Sequence, residues 1–128
     1  KQGTGPGEFA LLHNIWVDER ERVIICDREN DRIQLFNSDG DFLEEWTDLS
    51  SPGDVWIHEN HIYCIEQGPH GGVSIWTLDG NVVSRWKIDE DPGKGSITDG
   101  HGITVDSEGS IYVTEIGTGE KVSKFIRA

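Results

Sequence analysis

Short apolar runs separated by polar turns cover most of the chain and predict strands rather than helices. The runs are five or six residues long and rich in Ile, Val, Tyr and Trp, as in "RVIICD" (22–27) and "HIYCIE" (61–66). No window of 11 residues shows a convincing 3.6-residue period, so we expect no helix longer than a turn or two. The pattern therefore predicts an all-β fold.

The strand pattern repeats about every 40 residues. Asp39-Gly40 recurs as Asp79-Gly80, and Trp46 recurs as Trp86, each after 40 positions. Four antiparallel strands in 40 residues are typical of a β-propeller blade. We therefore predict one propeller segment, residues 1–128, of four-stranded blades whose last member is incomplete: blade A (about 8–46), blade B (about 53–86) and blade C (about 101–126).

Charge and composition narrow the range of partners. The net charge of −13 argues against nucleic acid and anionic membranes, which need basic patches, and it favours cationic partners or metal ions. No run of 18 apolar residues predicts a membrane span. The chain contains no methionine, which indicates a processed chain or an excised fragment and leaves localisation unknown. Cys26 and Cys64 lie in apolar runs and are expected to be buried free thiols rather than a disulfide.

Two histidines occupy equivalent positions at the start of a blade. His13 and His101 each stand two residues before an aligned isoleucine, and Gly53 holds that position in blade B. Because first strands line a propeller's channel, both rings are expected to face the axis from alternate blades. Zn²⁺ is often held by three His in open catalytic sites. The alternative is that each ring is satisfied separately by backbone or water.

The end of each second strand should share that face. The residues expected around the same mouth are Asp27, Arg28, Glu66, His70 and Glu115, with Asp54 and Asp99 beside the first strands. Such carboxylates could attract a cation or orient a metal-bound imidazole.

Simpler roles are available for several of these side chains. For Asp27, we expect a hydrogen bond to Arg32 across the turn. Arg28 has no obvious partner in its turn, so ligand binding and solvent exposure both stay open. His58 and His61 flank a turn on the opposite face and are expected to be surface residues.

The segment "DRENDRIQLFNSDGDFLEEW" (27–46) resembles the NHL-repeat family, in which a Gly-rich turn and "I-x-V-D" precede "D-x-x-N-x-R-I-Q-x-F". Blade A matches almost throughout, whereas blades B and C lack the Asn and the Arg. The resemblance implies a β-propeller. It leaves function open, since NHL propellers include enzymes and binding scaffolds.

Two further segments, "PGEFALLHNIWVD" (6–18) and "DGHGITVDSEGSIYVTE" (99–115), resemble the peptidyl-α-hydroxyglycine α-amidating lyase family. That resemblance implies a six-bladed ring with zinc on its axis, held by three histidines, of which His13 and His101 match two. Arg28 matches a substrate-contacting arginine. The blade with the third histidine and the segment with the catalytic tyrosine have no counterpart here. Gly102 stands where the lyases have an acidic calcium ligand, so calcium is less expected than zinc.

The resemblance thus predicts half of a six-bladed, metal-dependent, lyase-like enzyme that is incomplete as a catalyst by itself, with unassigned catalytic residues. The alternative is a non-catalytic propeller scaffold whose channel mouth binds a protein, a peptide or a small molecule. Three blades cannot close a ring. The sequence therefore predicts either a homodimer of two half-propellers or a piece of a longer single-chain propeller.

Overall fold

A computed structural model of the chain describes residues 1–69, 71–87, 97, 99–117 and 120–126. Within them, eleven strands form three antiparallel sheets, and the helical content is one 3₁₀ turn at Arg28–Asn30. The predicted all-β propeller architecture is confirmed. No helix in these ranges is long and apolar enough to cross a membrane.

Each sheet is a simple meander of sequential strands. Blade A consists of β1 (Leu12–Val17), β2 (Val23–Asp27), β3 (Arg32–Phe36) and β4 (Phe42–Trp46). Blade B consists of β5 (Pro52–His58), β6 (His61–Glu66), β7 (Gly72–Thr77) and β8 (Val82–Lys87). Blade C consists of β9 (Gly100–Val105), β10 (Ile111–Glu115) and β11 (Lys121–Phe125).

The turn between the third and fourth strands of blade B also forms part of the contact with blade A. Gly80 adopts a left-handed φ of +83°, a conformation that glycine reaches without steric cost. A Cβ on Gly80 would collide with the indole of Trp46, whose Cε2 would lie only 2.6 Å away. Glycine is therefore required here for both backbone and packing.

Blades A and B share an apolar core. Trp46 of β4 stacks on Trp76 of β7 with a centroid separation of 5.8 Å, and Trp16 packs against Trp56 at 4.8 Å. The periodic tryptophans thus pack between blades. Cys26 and Cys64 lie in the same core as buried free thiols, as expected, and burial raises the pKa of each thiol above its ordinary value.

A second core joins blades B and C. Ile65 and Val73 of blade B pack with Ile103 and Val113 of blade C, and all four are buried. Because strand residues alternate between faces, each of the two cores uses one face of blade B.

The two outer faces of the array differ in chemistry. On blade A, Ile15 pairs with Ile25 and Val17 with Val23, and Ile15 and Val17 are 63% and 59% exposed. On blade C, the corresponding outer face carries Thr104, Tyr112, Thr114, Val122 and Lys124. The outer face of blade A is therefore apolar, and that of blade C is largely polar.

Candidate functional site

The first strands of all three blades begin at one end of the array, and this end carries the candidate site. His13 on β1 and His101 on β9 meet there across blade B, with ring centroids 5.1 Å apart and ring planes at 70°. Gly53 lies between them in the repeat, and the Nδ1 of His13 is 2.7 Å from its carbonyl oxygen. The structure thus brings the two sequence-predicted imidazoles into contact.

The bond to Gly53 fixes the tautomer of His13. A carbonyl oxygen only accepts, so Nδ1 carries the proton and donates it. In the neutral ring, Nε2 is then unprotonated and available as an acceptor or a ligand. None of the described residues forms a hydrogen bond with the ring of His101.

Asp54 is the carboxylate nearest to both rings. Its Oδ1 accepts the N–H of Val55 at 2.9 Å, and its Oδ2 accepts the N–H of Ile103 at 2.9 Å, so it joins blade B to blade C. Burial raises the pKa of the Asp54 carboxyl above its ordinary value, although these two bonds and the neighbouring imidazoles His13 and His101 act in the opposite direction.

These groups line a shallow cleft of about 240 Å³, whose wall residues are His13, Asn14, Gly53, Asp54, His101 and Gly102. Gly102 donates its N–H to Thr114 Oγ1 at 3.0 Å, and a Cβ at this position would come within 2.8 Å of that oxygen. The amide oxygen of Asn14 is buried and has no hydrogen-bond partner among the described residues.

Arg28 lies beside this cleft, and its environment corrects the expectation that it lacks a partner in its turn. Its Nε and Nη2 donate to Glu29 Oε1 at 3.0 and 2.8 Å. Its Nη1 donates to Gln67 Oε1 at 3.2 Å, and Gln67 Nε2 donates to the carbonyl of Gly100 at 3.1 Å. Arg28 is therefore connected through Gln67 to the start of blade C.

Gln67 is a mouth residue that the sequence analysis missed. It follows Glu66 as Arg28 follows Asp27, so the repeat register could have identified it. Its amide packs over Gly53, where a Cβ would lie 2.5 Å from Gln67 Cδ. The glycine in the histidine position of blade B thus makes room for this side chain.

The carboxylates that end the second strands have structural roles. Asp27 is fully buried and accepts the backbone N–H of Ala10 at 2.8 Å, together with side-chain bonds from Asn30, Arg32 and Gln34. Burial alone would raise the pKa of Asp27, but these bonds outweigh it and hold the pKa below its ordinary value. The expected bond between Asp27 and Arg32 is confirmed, at 2.8 Å.

The same polar residues hold the Gly-rich loop that precedes β1. Arg32 donates to the carbonyls of Thr4, Gly5 and Glu8, and Gln34 donates to that of Glu8. The Asp, Asn, Arg and Gln of the repeat motif therefore form one network that fixes the segment leading to His13.

Blades B and C build related contacts from different residues. In blade B, Gly72 occupies the arginine position, and Arg85 of β8 reaches Glu66 at 3.3 Å and the carbonyl of Asp48. In blade C, Lys121 occupies that position and lies 3.3 Å from Glu115. A cation thus faces the strand-ending carboxylate in every blade.

The remaining predicted site residues lie elsewhere. His58 and His61 flank the turn at the opposite end, where His61 Nδ1 lies 2.8 Å from Glu59 O. Asp99 interacts through its backbone carbonyl, which accepts the N–H of Ile116. His70 lies outside the described residues.

The fit of a zinc ion can be tested against these positions. In the ranges that the structure describes, no group of three or more His, Cys, Asp or Glu residues is arranged to hold a metal ion. Both Asp54 oxygens already accept backbone N–H groups, which leaves two imidazoles. A zinc site normally has at least three protein ligands, so the described residues do not complete one.

Comparison with known proteins supports the fold. A family model described as "6-bladed beta-propeller" matches residues 1–66, and one described as "Beta-propeller repeat" matches residues 93–114. The human NHL repeat-containing protein 3 is 29% identical over 149 aligned residues, which cover 98% of this chain and 38% of that protein. Protein lin-41 of Caenorhabditis elegans is 47% identical over 45 residues, or 35% of this chain and 4% of its own.

Solved structures show the same architecture. The structure of a streptogramin B lyase superposes with a TM-score of 0.63 and 16% identity, over 91% of this chain and 40% of that one. A protein of unknown function from Bacteroides caccae gives a TM-score of 0.64 at 10% identity, over 91% of this chain and 46% of its own. At these identities the likeness concerns the fold alone. The chain spans less than half of the length of these relatives.

Proposed function

Since the chain belongs to the 6-bladed beta-propeller family, we propose that it is a non-catalytic binding segment whose channel mouth contacts a peptide or an extended protein segment. The observation that carries this proposal is the convergence of equivalent positions from three blades on one open cleft. That cleft offers hydrogen-bonding groups but only two imidazoles. Such a surface recognises polar groups without the ligand set that metal catalysis needs.

The polar groups beyond the cleft extend the proposed contact surface. Arg28 and Gln67 form a bridge from blade A to the start of blade C along the rim of the cleft. A peptide laid across the mouth would meet the imidazoles, Asp54 and this bridge in succession. Arg28 would then contact an anionic or carbonyl group of the ligand.

Peptide selection tests this function. A random-peptide display library would be selected against the purified chain, and backbone-amide hydrogen exchange would locate the binding site. We expect protection of the segments around His13, Gly53 and His101. Replacing both Arg28 and Gln67 by Ala should weaken the selected peptides, whereas the matched pair His58→Ala and His61→Ala, at the opposite end, should not. Protection confined to the opposite end or the outer rim would refute the proposal.

A zinc-dependent lyase is the second candidate. One specific observation favours it: a backbone carbonyl holds Nδ1 of His13, the support that a metal-ligating imidazole commonly has. Bound zinc would supply Lewis-acid activation of a substrate oxygen. His13 and His101 would bind it, together with a third ligand from outside the described residues, and Arg28 would hold the substrate.

Calorimetric titration with Zn²⁺ separates this candidate from the first. The lyase candidate expects one zinc per chain or per dimer and its loss in the His13→Ala, His101→Ala double variant. The His58→Ala, His61→Ala pair should keep the binding. Equal loss from both pairs, or no binding by the unchanged chain, would eliminate the zinc assignment.

Self-association belongs to the same set of proposals. Two copies of three blades would supply the six blades that the family description names. In that ring, the apolar outer face of blade A would pack against blade C of the second copy. Both mouths would then share one axis, with four imidazoles near it.

A further inference from the structure

The cleft between His13 and His101 is rich in acceptors and poor in free donors. Its acceptors are the Asp54 carboxylate, the unprotonated Nε2 of neutral His13 and the unpartnered amide oxygen of Asn14. The neighbouring backbone donors are already used, since Val55 and Ile103 donate to Asp54, and Gly102 donates to Thr114. A ligand that enters the cleft must therefore bring hydrogen-bond donors.

The local charge favours a cation. Asp54 is the only carboxylate among the six lining residues, and the chain as a whole carries a net charge of −13. The nearest described cation, Arg28, is paired with Glu29 and is held on the rim by Gln67. Desolvation also disfavours the charged form of Asp54, which is reflected in its raised pKa. A cationic partner would relieve that cost.

The shape of the acceptor set distinguishes between cations. A guanidinium prefers a carboxylate with two free oxygens, which it binds through two parallel bonds. Both Asp54 oxygens already accept a backbone N–H, so this arrangement is unavailable. A primary ammonium is compact and has three donors, which match separate acceptors on Asp54, His13 and His101.

We propose that this cleft binds one primary ammonium group of the partner peptide, either a lysine side chain or a free amino-terminus. The proposal rests on the peptide-binding function proposed above and names the group that the cleft recognises. Gly102 leaves the opening clear, and Gly53 presents the carbonyl that orients His13. The T-shaped imidazole pair forms the walls of the binding position.

Chemical-shift titration of the histidine rings tests the proposal directly. The 128-residue chain at pH 7.5 would be titrated with Nα-acetyl-lysine methylamide, and separately with a glycyl-glycinamide that has a free amino-terminus. We expect shifts at His13 and His101 and none at His58 and His61. The arm that gives the tighter binding identifies the source of the ammonium group.

The uncharged isostere Nα-acetyl-norleucine methylamide provides the matched control without altering the protein. It should bind at least tenfold more weakly, and so should the lysine probe to the Asp54→Asn variant. Because Asp54 also accepts two backbone bonds, the norleucine comparison decides the matter if that variant does not fold. Equal binding of norleucine and lysine, or ring shifts with Zn²⁺ but with neither amine, would overturn the proposal.

The selected peptides separate this inference from the function on which it rests. If acetylation of every amine leaves their binding at the mouth unchanged, the ammonium proposal fails and the peptide-binding function stands. If no peptide binds at the mouth although the lysine probe does, the function fails and the ammonium site stands.

Discussion

At the scale of single residues, Asp27 and Arg32 show why the repeat motif has its composition. Both are buried, and together they connect three strands of blade A to the loop that leads to His13. Removing one partner of a buried pair leaves the other charge without compensation, which is more costly than losing an exposed pair.

We therefore expect Arg32→Leu to lower the free energy of unfolding by about 3–5 kcal/mol. Urea denaturation followed by tryptophan fluorescence measures the loss. The matched control is Arg20→Leu, which removes an exposed arginine from its pair with Asp79 and should leave the midpoint almost unchanged. Similar losses in both variants would show that burial of the pair is not what matters.

The depressed pKa of Asp27 predicts a pH dependence of stability. A carboxyl whose pKa is lower in the folded state stabilises the fold at pH values above its unfolded pKa, about 3.9. This contribution is lost as the pH falls through the lower folded pKa. Chemical denaturation from pH 7 to pH 2.5 should thus show a smaller acid loss in Asp27→Asn than in the unchanged chain. Parallel curves would contradict the assignment, and Asp39→Asn, in an exposed turn, is the control.

At the scale of elements, the turns between third and fourth strands offer a matched pair. Gly40 and Gly80 occupy equivalent turns with φ values of +88° and +83°. A Cβ would meet nothing within 4 Å at Gly40, but it would collide with Trp46 at Gly80. The two positions thus share the backbone cost of a side chain and differ in the packing between blades.

Gly40→Ala should cost roughly 1–2 kcal/mol, the penalty for a left-handed residue with a Cβ. Gly80→Ala should cost more, because the Trp46–Trp76 stack must also shift. Thermal unfolding measures both losses, and the near-ultraviolet circular dichroism of tryptophan should change only in Gly80→Ala. Equal losses would mean that the turn of blade B adds nothing to the contact with blade A.

At the scale of the whole molecule, the outer faces govern assembly. The closed ring of two copies requires the apolar face of blade A to meet the face of blade C that carries Tyr112, Val122 and Lys124. On blade C, Tyr112 donates to Asp106 at 3.0 Å, and the Lys124 ammonium lies 5.0 Å from the Tyr112 ring centroid. This junction would be more polar than the two between blades within the chain.

Light scattering on the purified chain tests the dimer, which should have twice the monomer mass of 14.3 kDa. In a ring, Ile15→Glu on blade A and Val122→Glu on blade C should each dissociate the dimer, because both faces form every junction. Dissociation by Ile15→Glu alone would indicate two blade A faces packed on each other. A soluble monomer in the unchanged chain would contradict self-association.

The strands, their order and the repeat register were accessible from the sequence because their causes are local. Alternating apolar residues and Asp-Gly turns act over a few positions, and the 40-residue spacing aligns His13 with Gly53 and relates His101 to both. The bond between Asp27 and Arg32 belongs to the same class, since both residues flank one turn.

Contacts between blades required the tertiary structure because they depend on how far side chains reach across neighbouring sheets. Asp54 accepts a backbone N–H from blade C, and Gln67 joins Arg28 to Gly100. Arg85 replaces the arginine missing from β7 by reaching from the adjacent strand. No spacing in the sequence encodes these reaches, so the sequence alone determined which residues face the mouth, and the packing of blade on blade decided which of their polar groups remain free to bind.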